Sequence, residues 1–213
     1  MLLLSASPIL ECRDITFERD YMPVFAGLSF ALQPGEVLQV SGANGAGKTT
    51  LLRLLATSLT PSSGRILWRG DDLGRRRAEY RFDMIYLGHQ TGVKGALTAR
   101  ENLSWLLPLH PNAERTIDRA LAMAGLGGLE DVACHTLSAG QQRRVALARL
   151  HLSAATLWIL DEPFTAIDRS GVAGLEALIQ GHARRGGVVV VTTHQRLGLD
   201  GVRLLELEPY GHG

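Results

Sequence analysis

Gly42-Ala43-Asn44-Gly45-Ala46-Gly47-Lys48-Thr49 is the stretch that decides the fold. It fits G-x-x-x-x-G-K-[ST] at every position. Before it lies a short apolar run, Val37-Leu38-Gln39-Val40, and after it a leucine-rich segment over residues 49–55. Leu51, Leu52, Leu54 and Leu55 are spaced for a helix with one buried stripe. Strand, glycine loop and helix in that order form a polyphosphate cradle, in which loop N–H groups wrap the phosphates and the helix start adds its positive end. Lys48 is expected to bring charge to the β- and γ-phosphates, and the Thr49 hydroxyl to ligate Mg²⁺. Gly42, Asn44, Gly45, Ala46, Gly47 and Thr50 complete the expected nucleotide contacts. A nucleotide with Mg²⁺ is therefore the expected ligand.

Downstream, Leu157-Trp158-Ile159-Leu160-Asp161-Glu162 reads as a buried strand ending in two carboxylates. Ligands of open α/β sheets bind at the carboxyl ends of the strands, and Asp161 is expected there as a Mg²⁺ ligand. Glu162, one residue on, is expected to polarise the water that attacks the γ-phosphate.

Around these stretches, strand and helix patterns alternate. Residues 65–68, 84–87, 188–192 and 202–207 read as strands, and residues 169–180 as a helix. From about residue 98 to residue 152 the pattern is helical only. It holds two capping boxes, Thr98-Ala99-Arg100-Glu101 and Ser138-Ala139-Gly140-Gln141, and a helix over residues 114–124 that stops at Gly125. The expected fold class is α/β, with a nucleotide-binding core made of residues 1–94 and 153–213 and a helical insertion at residues 95–152.

Composition bounds the remaining options. The 213 residues carry 22 Lys plus Arg against 21 Asp plus Glu, a net charge of +1 that gives no polyanion-binding surface, so no nucleic-acid partner is expected. The densest basic run, Arg75-Arg76-Arg77 with Arg81, sits among Asp71, Asp72, Glu79 and Asp83 and reads as a solvated face. Cys12 and Cys134 belong to no C-x-x-C pair and read as unpaired thiols of a reducing compartment. Met1-Leu2-Leu3-Leu4 is too short for a secretory signal and reads as an edge strand. No stretch reaches the roughly 20 apolar residues of a membrane-spanning helix.

Leu137-Ser138-Ala139-Gly140-Gln141 resembles the L-S-G-G-Q signature of the ATP-binding cassette (ABC) ATPases, and it stands ahead of a helix and just before the Asp161 strand. Other elements of that family appear in order. Gln90 follows a strand, as the Q-loop glutamine does. Thr165-Ala166-Ile167-Asp168 forms a D-loop, and His194 follows a strand as the switch histidine does. The resemblance implies ATP as the nucleotide, with Mg²⁺, and a P-loop NTPase core with an antiparallel β subdomain and an inserted α-helical signature subdomain. It also implies a homodimer in which Ser138 and Gly140 of one copy serve the γ-phosphate held by the other. Glu162, His194 and Gln90 become the expected catalytic set, and Thr49, Gln90 and Asp161 the metal set.

Two departures stand out. Ala139 occupies a usual glycine position, so one methyl is expected to alter the rate and leave function intact. The aromatic that stacks on adenine is replaced in ungapped counting by Arg19, flanked by Phe17 and Tyr21. Arg19 can stack through its guanidinium plane, Tyr21 is the other candidate, and the choice stays open.

Within the ABC ATPases the chain is similar to the ATP-binding subunits of the cytochrome c maturation (haem exporter) system. The residues that carry this are Cys12-Arg13-Asp14, Glu18-Arg19-Asp20, Gly88-His89-Gln90 with Gly92 and Lys94, and Thr98-Ala99 with Glu101-Asn102-Leu103. Asp161 through Asp168 and Thr192-Thr193-His194-Gln195 complete the set. This implies a CcmB-like integral membrane partner and a peripheral place on the cytoplasmic face of the bacterial inner membrane. The residues themselves offer no direct haem ligand: there is no C-x-x-C-H, and His89, His110, His135, His151, His182 and His212 are scattered. The stretches 93–97 and 105–109 are either core of the helical block or a groove receiving a helix of the membrane subunit. An iron–sulfur-type assembly ATPase bound to a soluble scaffold is the alternative reading, with the same catalytic residues.

Lys48→Ala is expected to abolish tight ATP binding in a nucleotide titration; retained micromolar affinity would contradict the phosphate-loop assignment.

Overall fold

The computed structural model describes residues 7–104 and 117–208. The expected strand at residues 1–4, the first residues of the helix expected from 114, the apolar stretch 105–109, His110 and His212 lie outside them. The chain packs into two compact units, Met1–Tyr86 with Ala155–Asp161 and Ile179–Gly213, and Leu87–Ala154 with Glu162–Leu178.

The first unit is built on two sheets. β1 (Leu10–Arg19), β2 (Met22–Leu32), β4 (Ser63–Trp68) and the short β5 (Asp71–Asp72) form an antiparallel sheet in the order β2-β1-β4-β5. β3 (Val37–Gly42), β6 (Met84–Leu87), β7 (Leu157–Asp161), β8 (Val188–Thr192) and β9 (Val202–Leu207) form the second, in the order β6-β7-β8-β3-β9. The β7–β8, β8–β3 and β3–β9 pairs are parallel. Parallel strands are covered on both faces and need apolar residues throughout. Every residue of β7 and of β8 is buried accordingly. α1 (Lys48–Leu55) turns Leu51, Leu52, Leu54 and Leu55 into the core shared by the sheets, as its leucine spacing requires.

The basic run lies largely at the start of α2 (Arg77–Phe82). Arg76 pairs with Asp71 at 2.7 Å and with Glu79, while Arg77 and Arg81 donate to the carbonyl and hydroxyl of Thr57. The run is an exposed, internally paired face.

The second unit packs α3 (Ala99–Ser104), α4 (Ile117–Met123) and α5 (Ala139–Leu152) around Leu103, Leu121, Leu126, Cys134, Val145 and Ala148. Both capping boxes are closed. At α3 the Thr98 N–H donates to the Glu101 carboxylate at 2.8 Å and the Glu101 N–H to the Thr98 hydroxyl at 3.1 Å. Ser138 and Gln141 make the same exchange at α5. Each cap satisfies helix-end donors that have no partner within the helix. α6 (Arg169–Arg184) begins in this unit and ends in the first. Cys12 and Cys134 are buried free thiols.

His182, near the end of α6, is buried in the first unit. Its ring stacks on Trp158 at 3.8 Å between centroids and 9° between planes, and Nε2 lies 3.0 Å from the Thr156 carbonyl. The adjoining residue 187 must be glycine, since a Cβ there would meet His182 Nε2 at 2.1 Å. Burial pushes the His182 pKa below its ordinary value, against the opposing pull of the Thr156 carbonyl. The folded pKa is thus lower than the unfolded one, and the fold favours the neutral ring. The stability this contributes is complete above the unfolded value and is lost as pH falls through the folded one. The thermal midpoint is therefore expected to hold steady from about pH 8 to about pH 6.5 and to drop below it. In a pH series of melting curves, His182→Phe, which keeps the stack, should reduce that acid-side drop.

Candidate functional site

The glycine loop begins where β3 ends, and two of its glycines are demanded first by the protein's own packing. Gly42 pairs with Leu207 of β9, and a Cβ at Gly42 would lie 2.3 Å from the Leu207 carbonyl oxygen. Gly47 stands at φ 94 before α1, where a Cβ would meet Val24 at 2.7 Å and Phe25 at 3.0 Å of β2. The open approach to phosphate expected from the sequence is thus only part of the reason for glycine. Lys48 opens α1, and its ammonium donates to the Gly42 carbonyl at 2.6 Å and the Ala43 carbonyl at 3.0 Å. These bonds hold the lysine across the mouth of the loop and fix the loop's curvature. Ala46 and Thr50 are buried beneath it, while Asn44 and Gly45 are exposed.

Asp161 closes β7 and is 1% exposed. In register, Asp161 pairs with Thr192 of β8, and Thr192 pairs with Val40 of β3. The parallel sheet therefore brings Asp161 beside the root of the loop. The Thr192 hydroxyl donates to Asp161 Oδ1 at 2.7 Å, and the Thr49 hydroxyl lies 3.4 Å from the same oxygen. A buried carboxylate needs such donors, because water cannot supply them. Carboxylate and hydroxyl oxygens at the end of a phosphate loop are the hard ligands that Mg²⁺ takes alongside phosphate oxygens. The donor set fits the cation.

Thr192 is a site residue that sequence reasoning missed. Its strand was legible, but only the register shows that its hydroxyl faces Asp161. His194, two residues further, is exposed. The loop that carries it is tied to β3, where buried Gln39 donates to the Gln195 carbonyl at 2.9 Å.

The hairpin tip of the first unit bears on the open adenine question. Phe17 packs against the core. Arg19 pairs with Met22, and the turn between them is Asp20-Tyr21, at φ 53 and φ 63. Such a turn normally uses Asn or Gly, because side chains resist positive φ. Tyr21 stands 98% exposed on this strained turn.

The second unit carries Gln90, Ser138, Gly140, Glu162 and Asp168. Gln90 is exposed after β6, and Glu162 is half-buried at φ 49, a left-handed conformation unusual for its type. Ser138 caps α5 and accepts from the Gln141 N–H at 3.2 Å. Gly140 sits against the loop before Asp168, and a Cβ there would meet the Ala166 carbonyl at 2.7 Å. Ala139 is exposed, so its methyl fits without displacing any backbone. The Asp168 carboxylate accepts from the Gly171 N–H and the Ser170 hydroxyl, each at 3.0 Å, and pairs with Arg144 of α5. The backbone bond from Gly171, then Ser170, then Arg144 hold its pKa below the usual carboxylate value. Asp168 thereby caps α6 and ties the loop of residues 162–168 to α5.

A phosphate loop, a carboxylate at the neighbouring strand end and a capped signature helix define a nucleotide-binding cassette. Residues 25–165 match the profile of the ABC transporter family, and the chain belongs to that family as an ATP-binding, ATP-hydrolysing subunit. It is 53% identical over 192 residues to the cytochrome c biogenesis ATP-binding export protein CcmA of Pseudomonas fluorescens, covering 90% of this chain and 91% of that protein. Against the protein of the same name from Salmonella typhi it is 52% identical over 207 residues, covering 96% and 100%. The chain therefore falls among the cytochrome c biogenesis ATP-binding export proteins. Among solved structures, a putative ABC transporter ATP-binding protein from Pyrococcus furiosus superposes with TM-score 0.80 at 27% identity, over 93% of this chain and 96% of that one. An ATP-binding cassette described as a post-hydrolysis dimer bound to ADP and Pi shares the fold, with TM-score 0.82 at 22% identity over 95% and 97%.

Thr192→Val keeps the shape of β8 and removes one hydroxyl from Asp161. It should raise the Mg²⁺ concentration for half-maximal ATP hydrolysis by about tenfold, the worth of one charge-assisted hydrogen bond. An unchanged Mg²⁺ titration would remove Thr192 from the site.

Proposed function

We propose that the chain binds Mg²⁺-ATP at the loop of residues 42–50 and works as one half of a homodimer. Each nucleotide is covered by Ser138 and Gly140 of the second copy. Thr49, Asp161 and Gln90 hold the metal, Glu162 polarises the attacking water, and His194 and Gln90 sense the γ-phosphate. Asp168 lines the dimer interface. The observation that carries this reading is the Asp161 carboxylate, held by two hydroxyls beside the phosphate loop. The exposed, rigidly capped start of α5 supports the part given to Ser138. At the hairpin tip, the exposure of Tyr21 favours it as the adenine platform.

Binding of two ATP molecules closes the dimer and hydrolysis reopens it, and this cycle drives an integral membrane subunit of the CcmB type. The cargo step is export or delivery of haem for cytochrome c biogenesis, in keeping with the names of the relatives. No helix among the described residues is long and apolar enough to cross a membrane, so the membrane work falls to the partner. We place the chain on the cytoplasmic face of the inner membrane. A groove of about 170 Å³ in the second unit, lined by Thr91, Val93, Lys94, Asn102, Leu103 and Val145, supports docking of the membrane subunit there.

Glu162→Gln is expected to bind ATP, to hydrolyse it at less than about a hundredth of the wild-type rate, and to accumulate as a dimer in size-exclusion chromatography. A gentle detergent pull-down with this trapped form should retain a membrane protein. Wild-type turnover, or recovery of a soluble scaffold in place of the membrane subunit, would contradict the reading.

A further inference from the structure

Arg143 lies in the second turn of α5 and is 4% exposed. Arginine is almost never buried so fully unless its donors are used, because desolvating the charge is costly. Its guanidinium donates to main-chain carbonyls of two separate segments. Nη1 reaches the Gly88 carbonyl at 3.1 Å and the His89 carbonyl at 3.3 Å, Nη2 the Glu162 carbonyl at 2.6 Å, and Nε the Pro163 carbonyl at 3.4 Å. Gly88 and His89 immediately precede Gln90, so both segments carry residues assigned to hydrolysis. All of these groups belong to the second unit.

The Glu162 peptide is also strained, at φ 49. A left-handed conformation at a non-glycine residue persists only where its surroundings over-determine it. The Glu162 carbonyl accepts from Arg143 Nη2 and from the Thr165 N–H at 3.3 Å, and both bonds hold that peptide in place. A planar fork suits this task. Its donors point in fixed, divergent directions, so one side chain can hold two loops at a set spacing.

We propose that Arg143 is a positioning residue for ATP hydrolysis: it clamps the Glu162 peptide and the segment before Gln90 into one rigid cradle. The two side chains then meet the attacking water and the metal in a fixed mutual orientation. The clamp rests on the reading of Glu162 and Gln90 as the hydrolytic pair. Because the Arg143 guanidinium is buried against main-chain carbonyls, it acts on turnover and not on ATP affinity.

The test compares Arg143→Gln, Arg143→Lys and Glu162→Gln in the chain of 213 residues. ATP affinity is measured by fluorescent-nucleotide titration, kcat and KM by steady-state hydrolysis, and the fold by thermal melting. Arg143→Gln is expected to keep ATP affinity within about twofold and to lose about 10- to 100-fold in kcat, the scale of a misplaced reacting group. Arg143→Lys, which restores the charge but not the fork, should recover part of the rate. Wild-type kcat in folded Arg143→Gln, with Glu162→Gln inactive, would overturn the clamp and leave the hydrolytic reading standing. Wild-type turnover by Glu162→Gln would remove the reading and the clamp with it. Equal losses of affinity and kcat, or failure of both Arg143 variants to fold, would make Arg143 a structural residue and overturn the proposal.

Discussion

Asp161 is an acidic side chain almost wholly removed from water, and the first unit is arranged so that this can be tolerated. An unpartnered buried carboxylate would cost several kcal/mol. Here the hydroxyls of Thr192 and Thr49 face one of its oxygens. The Thr192 contact exists only if β7 and β8 run parallel and in register. The Thr49 contact exists only if α1 starts directly after the glycine loop. The sheet order, the buried valines of β8 and the leucine stripe of α1 all serve that placement. A slip of one residue in β8 would turn the Thr192 hydroxyl to the opposite face, away from the carboxylate.

The same logic of satisfied backbone and constrained carboxylate governs the second unit. The residues proposed to work there sit on loops or at a helix start, and each is tied by a side chain from α5. Arg144 holds Asp168, Arg143 holds the peptides beside Gln90 and Glu162, and Gln141 completes the Ser138 cap. One helix therefore organises three loops. Gly140 shows how tight the arrangement is, since even a methyl at that position would collide with the Ala166 carbonyl. Ala139, whose side chain faces solvent, carries its methyl without such a conflict.

Much of the site was legible because its chemistry is local. The phosphate loop needs a short glycine-rich run at the end of a strand, and the acidic pair needs an apolar strand before it. Both are contiguous in the chain. The capping boxes at Thr98 and Ser138 were equally readable, since their hydrogen bonds span only three residues. The antiparallel sheet was expected through family resemblance and not from its residues. β1 and β2 carry bulges and register shifts that blur the alternation of buried and exposed positions. The two-residue turn between them uses Asp20 and Tyr21 in place of the Asn-Gly pair that usually marks a hairpin.

Thr192 and Arg143 could not be found from residue patterns, since each acts on a group 31 or 19 positions away. A threonine at the end of a valine strand and an arginine inside a helical run look ordinary on their own. The chain by itself determined the nucleotide chemistry, the alternation of strands and helices, and the family. These depend on short contiguous runs whose backbone geometry and residue types are coupled. Strand order, register and the burial of charged groups were decided only in the tertiary structure. They arise from contacts between segments distant in sequence, where many pairings satisfy the same local pattern and only packing selects one.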